Sequence, residues 1–346
     1  MKVAILGTGG IGLGYAAFLH EAGHRPILWS PSGAGTEPFR GGAELVATGK
    51  VAACFRPETA TDPAFVGDAE AVIVAVPAYG YAAVFDAIVP HLAEGVPVIV
   101  SAHLSLAARH LADRLATRGV AAPVLAWGTT ALMGRKTGPA SVEIGAVRDE
   151  IDVAAADPAD GERGLALCTT LFGERFRLHA DLLAIQLGNL NPPSHLANAL
   201  CNLTRIERGE DWGNYDGITP AVGRLIEALD RERLTLAAAC GVEVRSVERH
   251  YQLTFGFPPG QTVAEMAAEV HRRRRGPPGP KRLDSRYIAE DMPFGIVPLV
   301  AMGEARGVPM PLHEAGVALL GALCGRDFAA ENDIFPFEAW RAGGGD

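Results

Sequence analysis

Lys2-Val-Ala-Ile-Leu6-Gly7-Thr-Gly9-Gly10-Ile11-Gly12 decides the N-terminal half of this chain. A short apolar run passes straight into a glycine-rich turn, and Leu13 to Ala22 continues with apolar residues on one helical face, which reads as strand, tight turn, helix. Each glycine has its own task. Gly7 allows the turn, Gly9 lets a pyrophosphate approach the backbone, and Gly12 lets helix and strand pack closely, with the helix N-terminus facing the phosphates. A ligand-free glycine turn would share the bare pattern; its placement directly between strand and helix is what points to dinucleotide binding. Taken by itself, the loop serves a flavin dinucleotide as well as a nicotinamide one.

Working outward, Arg25–Trp29 predicts a second strand, 71–76 a central one stopped by Pro77, and 96–100 and 122–127 two more. The alternating patches 140–144 and 151–155 are expected to extend the same sheet. Helical stretches separate the strands, as in a doubly wound α/β sheet. The expected fold is an α/β Rossmann-type N-terminal domain over residues 1–180, followed by an all-helical C-terminal domain over 181–346. Gly7, Gly9, Gly10, Ile11 and Gly12, together with Val76 and Pro77 at the end of the central strand, are the cofactor-facing candidates.

The end of the second strand selects between nicotinamides. An acid there grips the ribose hydroxyls of NAD, yet Leu28-Trp-Ser30-Pro-Ser32-Gly holds none, and the first acid is Glu37. A 2′-phosphate would meet no repulsion, and Ser30, Ser32 and Arg40 could bond to it, which favours NADP(H) with NAD(H) as the alternative. The plainer reading is that Ser-Pro-Ser is only a turn.

With 346 residues, 48% of them hydrophobic and 21% charged, the chain can bury a large core and exceeds one ordinary domain. No charge-free apolar stretch approaches a membrane-spanning length, and the chain opens on a strand instead of a basic leader, so a cytoplasmic protein without a membrane partner is expected. Cys54, Cys168, Cys201, Cys240 and Cys324 are scattered, with no Cys-x-x-Cys pair; they read as small buried apolar residues, and no metal is expected. A formal charge of −9 argues against a nucleic-acid partner in spite of the run His271–Arg275. That run leads into Gly276-Pro-Pro-Gly-Pro280 and reads as a solvated loop.

The second half is punctuated as helices. Thr219-Pro220 opens a long one through Ala239 with Gly241 past its end, and Thr262-Val-Ala-Glu265 is a capping box opening another to about Val270. A further helix is expected from Asp284 towards Asp291, with Pro293 stopping it, then helices over 296–305 and 313–323. The otherwise apolar helical stretch after Gly188 carries a lone histidine, His195, followed by Asn198, Asn202 and Arg205 at helical spacing. Burying that line is costly without a ligand or a partner network. The plainer reading of His195 is a core histidine satisfied by a backbone carbonyl.

Five motifs now stand in order: Gly188-Asn-Leu-Asn-Pro-Pro-Ser-His195, Asn202-Leu-Thr-Arg205-Ile-Glu207-Arg-Gly, Asp216-Gly-Ile-Thr-Pro-Ala-Val222, Asp230-Arg-Glu-Arg233 and Arg286-Tyr-Ile-Ala-Glu290-Asp291-Met-Pro-Phe-Gly295. They closely resemble the helical domain of the octopine/nopaline (opine) dehydrogenases, and with the glycine loop the resemblance covers nearly the whole chain. It implies an NAD(P)H-dependent enzyme in which the amine of an amino acid condenses with an α-keto acid and hydride reduces the imine to a secondary-amine dicarboxylate. It places His195 on the family's catalytic histidine, Asp291 on its carboxylate partner, and Arg286 on an arginine associated with the substrate carboxylate. Asn191, one turn before His195, falls on a substrate-side position. The implied partners are small molecules, an α-keto acid and an amino acid or other amine, with a homodimer as the expected assembly.

The chemistry of these residues is compatible. Reducing a double bond beside a carboxylate calls for a proton donor near the reacting carbon and a cation for the carboxylate. Histidine titrates in the useful range; a neighbouring Asp291 would fix its tautomer and favour its charged form, against the pull of the helix N-terminus. Plainer roles stand beside these: Asn191 as an N-cap, and Arg286 paired with Glu290 four residues on. Arg286 and Asp291 reach one site only if the helix ends or distorts near Pro293. After Trp127, Gly128-Thr129-Thr130 stands where many members of the family carry an acid before Thr, although Arg135 keeps the basic position that follows. Thr129 and His103, at strand ends, are substrate-side candidates of the first domain or else turn residues. Two other functions share this plan. A ketopantoate- or 2-hydroxyacid-type reductase would act on a keto acid without an amine and rely on a Lys or Arg in the helical domain, where Lys is nearly absent. A non-catalytic NADP-binding sensor would need no His195–Asp291 pair.

Overall fold

Runs of Val, Ile and Leu that are buried on both faces assemble as a parallel sheet, and the N-terminal half is built from such runs. The structure is a computed structural model describing residues 1–273 and 276–343, and the chain divides into two compact units, Met1–Gln186 and Leu187–Asp346. The strands of the first unit are β1 (Lys2–Leu6), β2 (Arg25–Trp29), β3 (Leu45–Gly49), β4 (Ala53–Phe55), β5 (Glu58–Thr59), β6 (Ala71–Val74), β7 (Val98–Val100), β8 (Val124–Trp127), β9 (Leu132–Gly138), β10 (Ser141–Val147), β11 (Ile151–Ala155) and β12 (Phe176–Leu178). An eight-stranded sheet runs in the order β12-β11-β8-β7-β6-β1-β2-β5. It is parallel from β8 to β5, whereas β11 is antiparallel to β8. This is a Rossmann-type α/β unit.

One expectation is corrected. The patch at 140–144 does not extend the main sheet; it belongs to β10 in a second, four-stranded sheet ordered β4-β3-β10-β9. Its neighbours β3, β4 and β9 bury only alternate or single residues, and the β9–β10 register shifts twice, so none carries the continuous apolar run that marks the main strands. The helix Gly10–Glu21 packs on this second sheet. A Cβ on Gly10 would overlap the Gly134 carbonyl, and one on Gly134 would overlap that of Gly10, so glycine on both sides sets the spacing. Tyr15 on the same helix bonds Ser101 Oγ at 2.6 Å and accepts from Ala131 N at 2.9 Å. The helix is thereby tied to the segments that follow β7 and β8. Burial pushes the Tyr15 phenol up to about 12, so it stays protonated there.

The second unit is helical. Pro220–Ala239 is its centre, capped by Thr219 and packed against Asn191–Cys201, Val247–Phe255, Val263–Arg272, Val297–Arg306 and Pro311–Cys324. The Asp230-Arg-Glu-Arg233 motif explains that centrality. Arg233 is fully buried; it donates to Asp230, to the Leu187 carbonyl and to the Arg245 carbonyl, while Asp230 Oδ2 accepts from Val247 N at 2.9 Å. Glu232, beside it, receives Leu312 N and His313 N and thus caps the helix Pro311–Cys324.

Two further expectations change here. Pro293 does not stop a helix: Met292–Ile296 forms a π-helical turn that runs directly into Val297–Arg306. The wider i→i+5 turn gives the proline ring room where a regular helix would press it against the carbonyl four residues back. The basic run is not wholly a loop either. His271 and Arg272 end the helix Val263–Arg272, and Arg272 and Arg273 both pair with Glu269, at 2.6 and 2.7 Å. Arg274 and Arg275 lie outside the described residues. Among the described residues no helix is long and apolar enough to cross a membrane.

Candidate active site

The three glycines of the first unit divide their work as steric logic requires. Gly7 has φ +122°, and a Cβ there would overlap the Ala75 carbonyl oxygen; a Cβ on Gly12 would overlap the carbonyl of Gly7. Gly9 is different. A Cβ on it would meet no atom within 4 Å, so the loop's backbone is bare on that side. The following helix has no side-chain cap and no acid in its first turn, which leaves its N-terminal N–H groups to an anion. These residues fit a dinucleotide pyrophosphate. Gly10 and Ile11 start the helix, half-buried; Val76 packs on Gly7 and Gly80, and Pro77 precedes the short 3-10 turn Ala78–Gly80, β6 having ended at Val74.

At the end of β2, Ser30 is nearly buried with its Oγ 3.4 Å from Ser32 Oγ, and Arg40 Nη2 donates to the Gly33 carbonyl at 3.3 Å. Glu37 opens the short helix Glu37–Arg40 beyond this turn. Lys136, which sequence reasoning passed over, reaches from β9 to the Thr8 carbonyl at 3.4 Å. Only the sheet pairing could have brought it to the glycine loop.

Thr129 is half-buried just past β8. His103 does not stand at a surface and is withdrawn as a substrate contact. It is fully buried, its Nδ1 receives Ala108 N at 3.4 Å, and desolvation lowers its pKa to about 3, so it is neutral. It sits in a segment where Ala102, Ser105 and Leu106 all have φ near +55°. Arg135 pairs with Glu143 on an exposed edge.

In the second unit the structure brings His195 and Asp291 together across 96 residues of chain. His195 Nδ1 lies 2.7 Å from Asp291 Oδ2, with the imidazole 12% and the carboxylate 1% exposed. A carboxylate accepts only, so Nδ1 carries the proton and Nε2 is left as the ring's second functional atom. Asp291 Oδ1 is buried with no hydrogen-bond partner among the described residues. The approach coincides with a break in the regular helix: Arg286–Ala289 ends at Glu290, whose φ widens to −116° with ψ −55°, and Asp291 precedes the π turn Met292–Ile296. Arg286 also pairs with Glu290 at 3.3 Å while its side chain is half exposed.

Asn191 is not the N-cap. It is the first residue of the helix Asn191–Cys201, exposed, its N–H donating to Asn189 Oδ1 at 3.0 Å. The polar line beyond His195 is satisfied within the protein. Asn198 Nδ2 donates to Asn214 Oδ1 at 2.7 Å, Asn202 Nδ2 donates to Asn198 Oδ1 at 2.8 Å and to the Gly217 carbonyl at 3.2 Å, and Arg205 lies over Trp212 and near Glu210 and Asp216. Two residues without an assigned role join the site: the Tyr287 ring stacks on His195, and its hydroxyl donates to Asn214. A tyrosine in an apolar helix reads as core, so spacing alone gave no signal for it.

Residues 178–324 match the family described as NAD/NADP octopine/nopaline dehydrogenase, alpha-helical domain, and residues 3–157 match ketopantoate reductase PanE/ApbA. An opine dehydrogenase from Arthrobacter sp. (strain 1C) is 30% identical over 335 residues, covering 95% of this chain and 92% of its own length. Among solved structures, octopine dehydrogenase in complex with NADH and agmatine superposes with a TM-score of 0.79 at 17% identity, covering 100% of this chain and 96% of that one. Yersinopine dehydrogenase with NADP+ bound gives 0.78 at 18% identity, covering 99% of each. With glycine loop, helical unit and whole-length relative all in agreement, this chain belongs to the octopine/nopaline (opine) dehydrogenase family and is an NAD(P)-dependent oxidoreductase.

Proposed function

We propose that the chain catalyses the reductive condensation of an α-keto acid with the amine of an amino acid. Amine and carbonyl lose water to form an imine, and addition of hydride and a proton gives a secondary-amine dicarboxylate. The bound nicotinamide supplies the hydride. His195 supplies or takes the proton at Nε2, because Asp291 occupies Nδ1 and fixes the tautomer. Arg286, five residues before Asp291 and partly exposed, is the candidate cation for a substrate carboxylate. Asn191 and Thr129 are the remaining substrate-side candidates. The observation that carries the reading is the contact between a nearly buried carboxylate and a histidine from a distant motif. Isolating a carboxylate from water is costly, and this one spends its contact on an imidazole.

NADP(H) is the favoured cofactor, on the strength of Ser30 and Ser32 with no acid at the end of β2, and Arg40 across the turn. A cytoplasmic setting agrees with all five cysteines being thiols, although only Cys168 is buried as expected and Cys54 and Cys201 are exposed. A keto-acid reductase reading is favoured by one observation, the match of residues 3–157 to ketopantoate reductase. A matrix assay separates the two: NADPH oxidation with several α-keto acids, each with and without a panel of amino acids. Oxidation is expected to need both; rapid turnover with a keto acid alone, unaffected by any amine, overturns the reading.

A further inference from the structure

His195 is held by more than its carboxylate. The Tyr287 ring lies over the imidazole with ring centres 3.5 Å apart and planes 11° from parallel. The Tyr287 hydroxyl is anchored in turn, donating to Asn214 Oδ1 at 3.0 Å, and the same oxygen accepts from Asn198 Nδ2. Asn198 also donates to the Asn214 carbonyl at 3.1 Å, and it stands one turn beyond His195 on the same helix. The tether therefore closes a loop through three segments. Asn198, Asn214 and Tyr287 are all buried or at its margin.

We propose that Tyr287 is a positioning residue: it clamps the imidazole of His195 in the plane where Nδ1 meets Asp291, so that Nε2 keeps a single direction. A histidine held by one hydrogen bond still rocks about that bond, since its outer side-chain torsion has only broad minima. A ring at van der Waals distance removes that freedom. Tyr287 and Asp291 are four residues apart, so one turn of chain presents both a face contact and an edge contact to the same imidazole. The hydroxyl tether then ties that turn back to the helix carrying His195. Misplacement of a reacting group by about 1 Å costs roughly 100-fold in rate, which is why such a clamp has value.

The proposal rests on His195 as the proton-transfer group, and the test separates the two. Three substitutions serve: Tyr287→Phe keeps the ring and drops the tether, Tyr287→Leu removes the ring, and Asn214→Ala removes the acceptor. Each is read in the full-length protein by kcat and KM, by Kd for NADPH, and by NMR of labelled histidine, the His195 signals being assigned by their loss in His195→Ala. Stacked imidazole protons resonate upfield in the unmodified protein and in Tyr287→Phe. In Tyr287→Leu that upfield shift is lost and kcat falls roughly 10- to 100-fold, with KM and NADPH Kd nearly unchanged. Tyr287→Phe, which keeps the ring and drops the tether, lowers kcat only severalfold, as Asn214→Ala does. If Tyr287→Leu does not fold, Asn214→Ala decides, with a weakened upfield shift and a severalfold lower kcat. Loss of turnover in His195→Ala alongside unmodified kcat in Tyr287→Leu overturns the clamp alone, as does an Asn214→Ala protein with shift and kcat both unchanged. Full turnover in His195→Ala overturns the role of His195, and the clamp with it.

Discussion

In the proposed mechanism Asp291 and His195 act on one proton, and that makes their substitutions diagnostic. Asp291→Asn keeps the shape but loses the charge that fixes the Nδ1 proton. It is expected to lower kcat by roughly 10²–10⁴-fold, the range for losing positioned acid–base catalysis, while Kd for NADPH stays unchanged. Adding His195→Ala to Asp291→Asn should cost little more than Asp291→Asn alone, because groups that act as a unit are not additive. Additive losses across the four proteins would mean that the contact is structural. Ser30 carries the cofactor prediction at the same scale. Ser30→Asp places a carboxylate where the 2′-phosphate is expected, so kcat/KM for NADPH should fall below that for NADH. Equal or better use of NADH by the unmodified protein would contradict the preference on which this rests.

Among the elements, Pro220–Ala239 organises the helical unit, and Arg233 shows how. Truncating it to Ala strands Asp230 in the interior, next to a carbonyl of Leu187 that has also lost its donor. The expected loss is about 3–5 kcal/mol in denaturant unfolding. A change below about 1 kcal/mol would mean that water replaces the guanidinium. Legibility differed from element to element for physical reasons. β1, β6 and β8 are continuous apolar runs buried on both faces, and the capping box of Val263–Arg272 is a local hydrogen-bond pattern; both can be read from short windows. β9 is glycine-rich and largely exposed, and it gains its identity only by pairing with β10. Pro293 follows a rule for regular helices that a π turn evades. In the site, spacing could not pair His195 with Asp291 from 96 residues away; the family resemblance did that. Tyr287, whose ring packs like any core aromatic, became visible only through its stacking partner.

At the scale of the whole molecule, the two units contribute different chemistry. The first offers a bare glycine loop and an uncapped helix start for a dinucleotide, the second a histidine braced by a carboxylate and an aromatic ring. Neither alone distinguishes reduction of a keto acid from reduction of an imine, since both reactions use one hydride and one proton. The product distinguishes them. The most direct measurement is the mass of what forms when the enzyme turns over NADPH with an α-keto acid and an amino acid together. A single new compound is expected, equal to keto acid plus amino acid, less one water, plus two hydrogens. Recovery of the amino acid intact beside a 2-hydroxy acid, the keto acid plus two hydrogens, would contradict the proposed condensation.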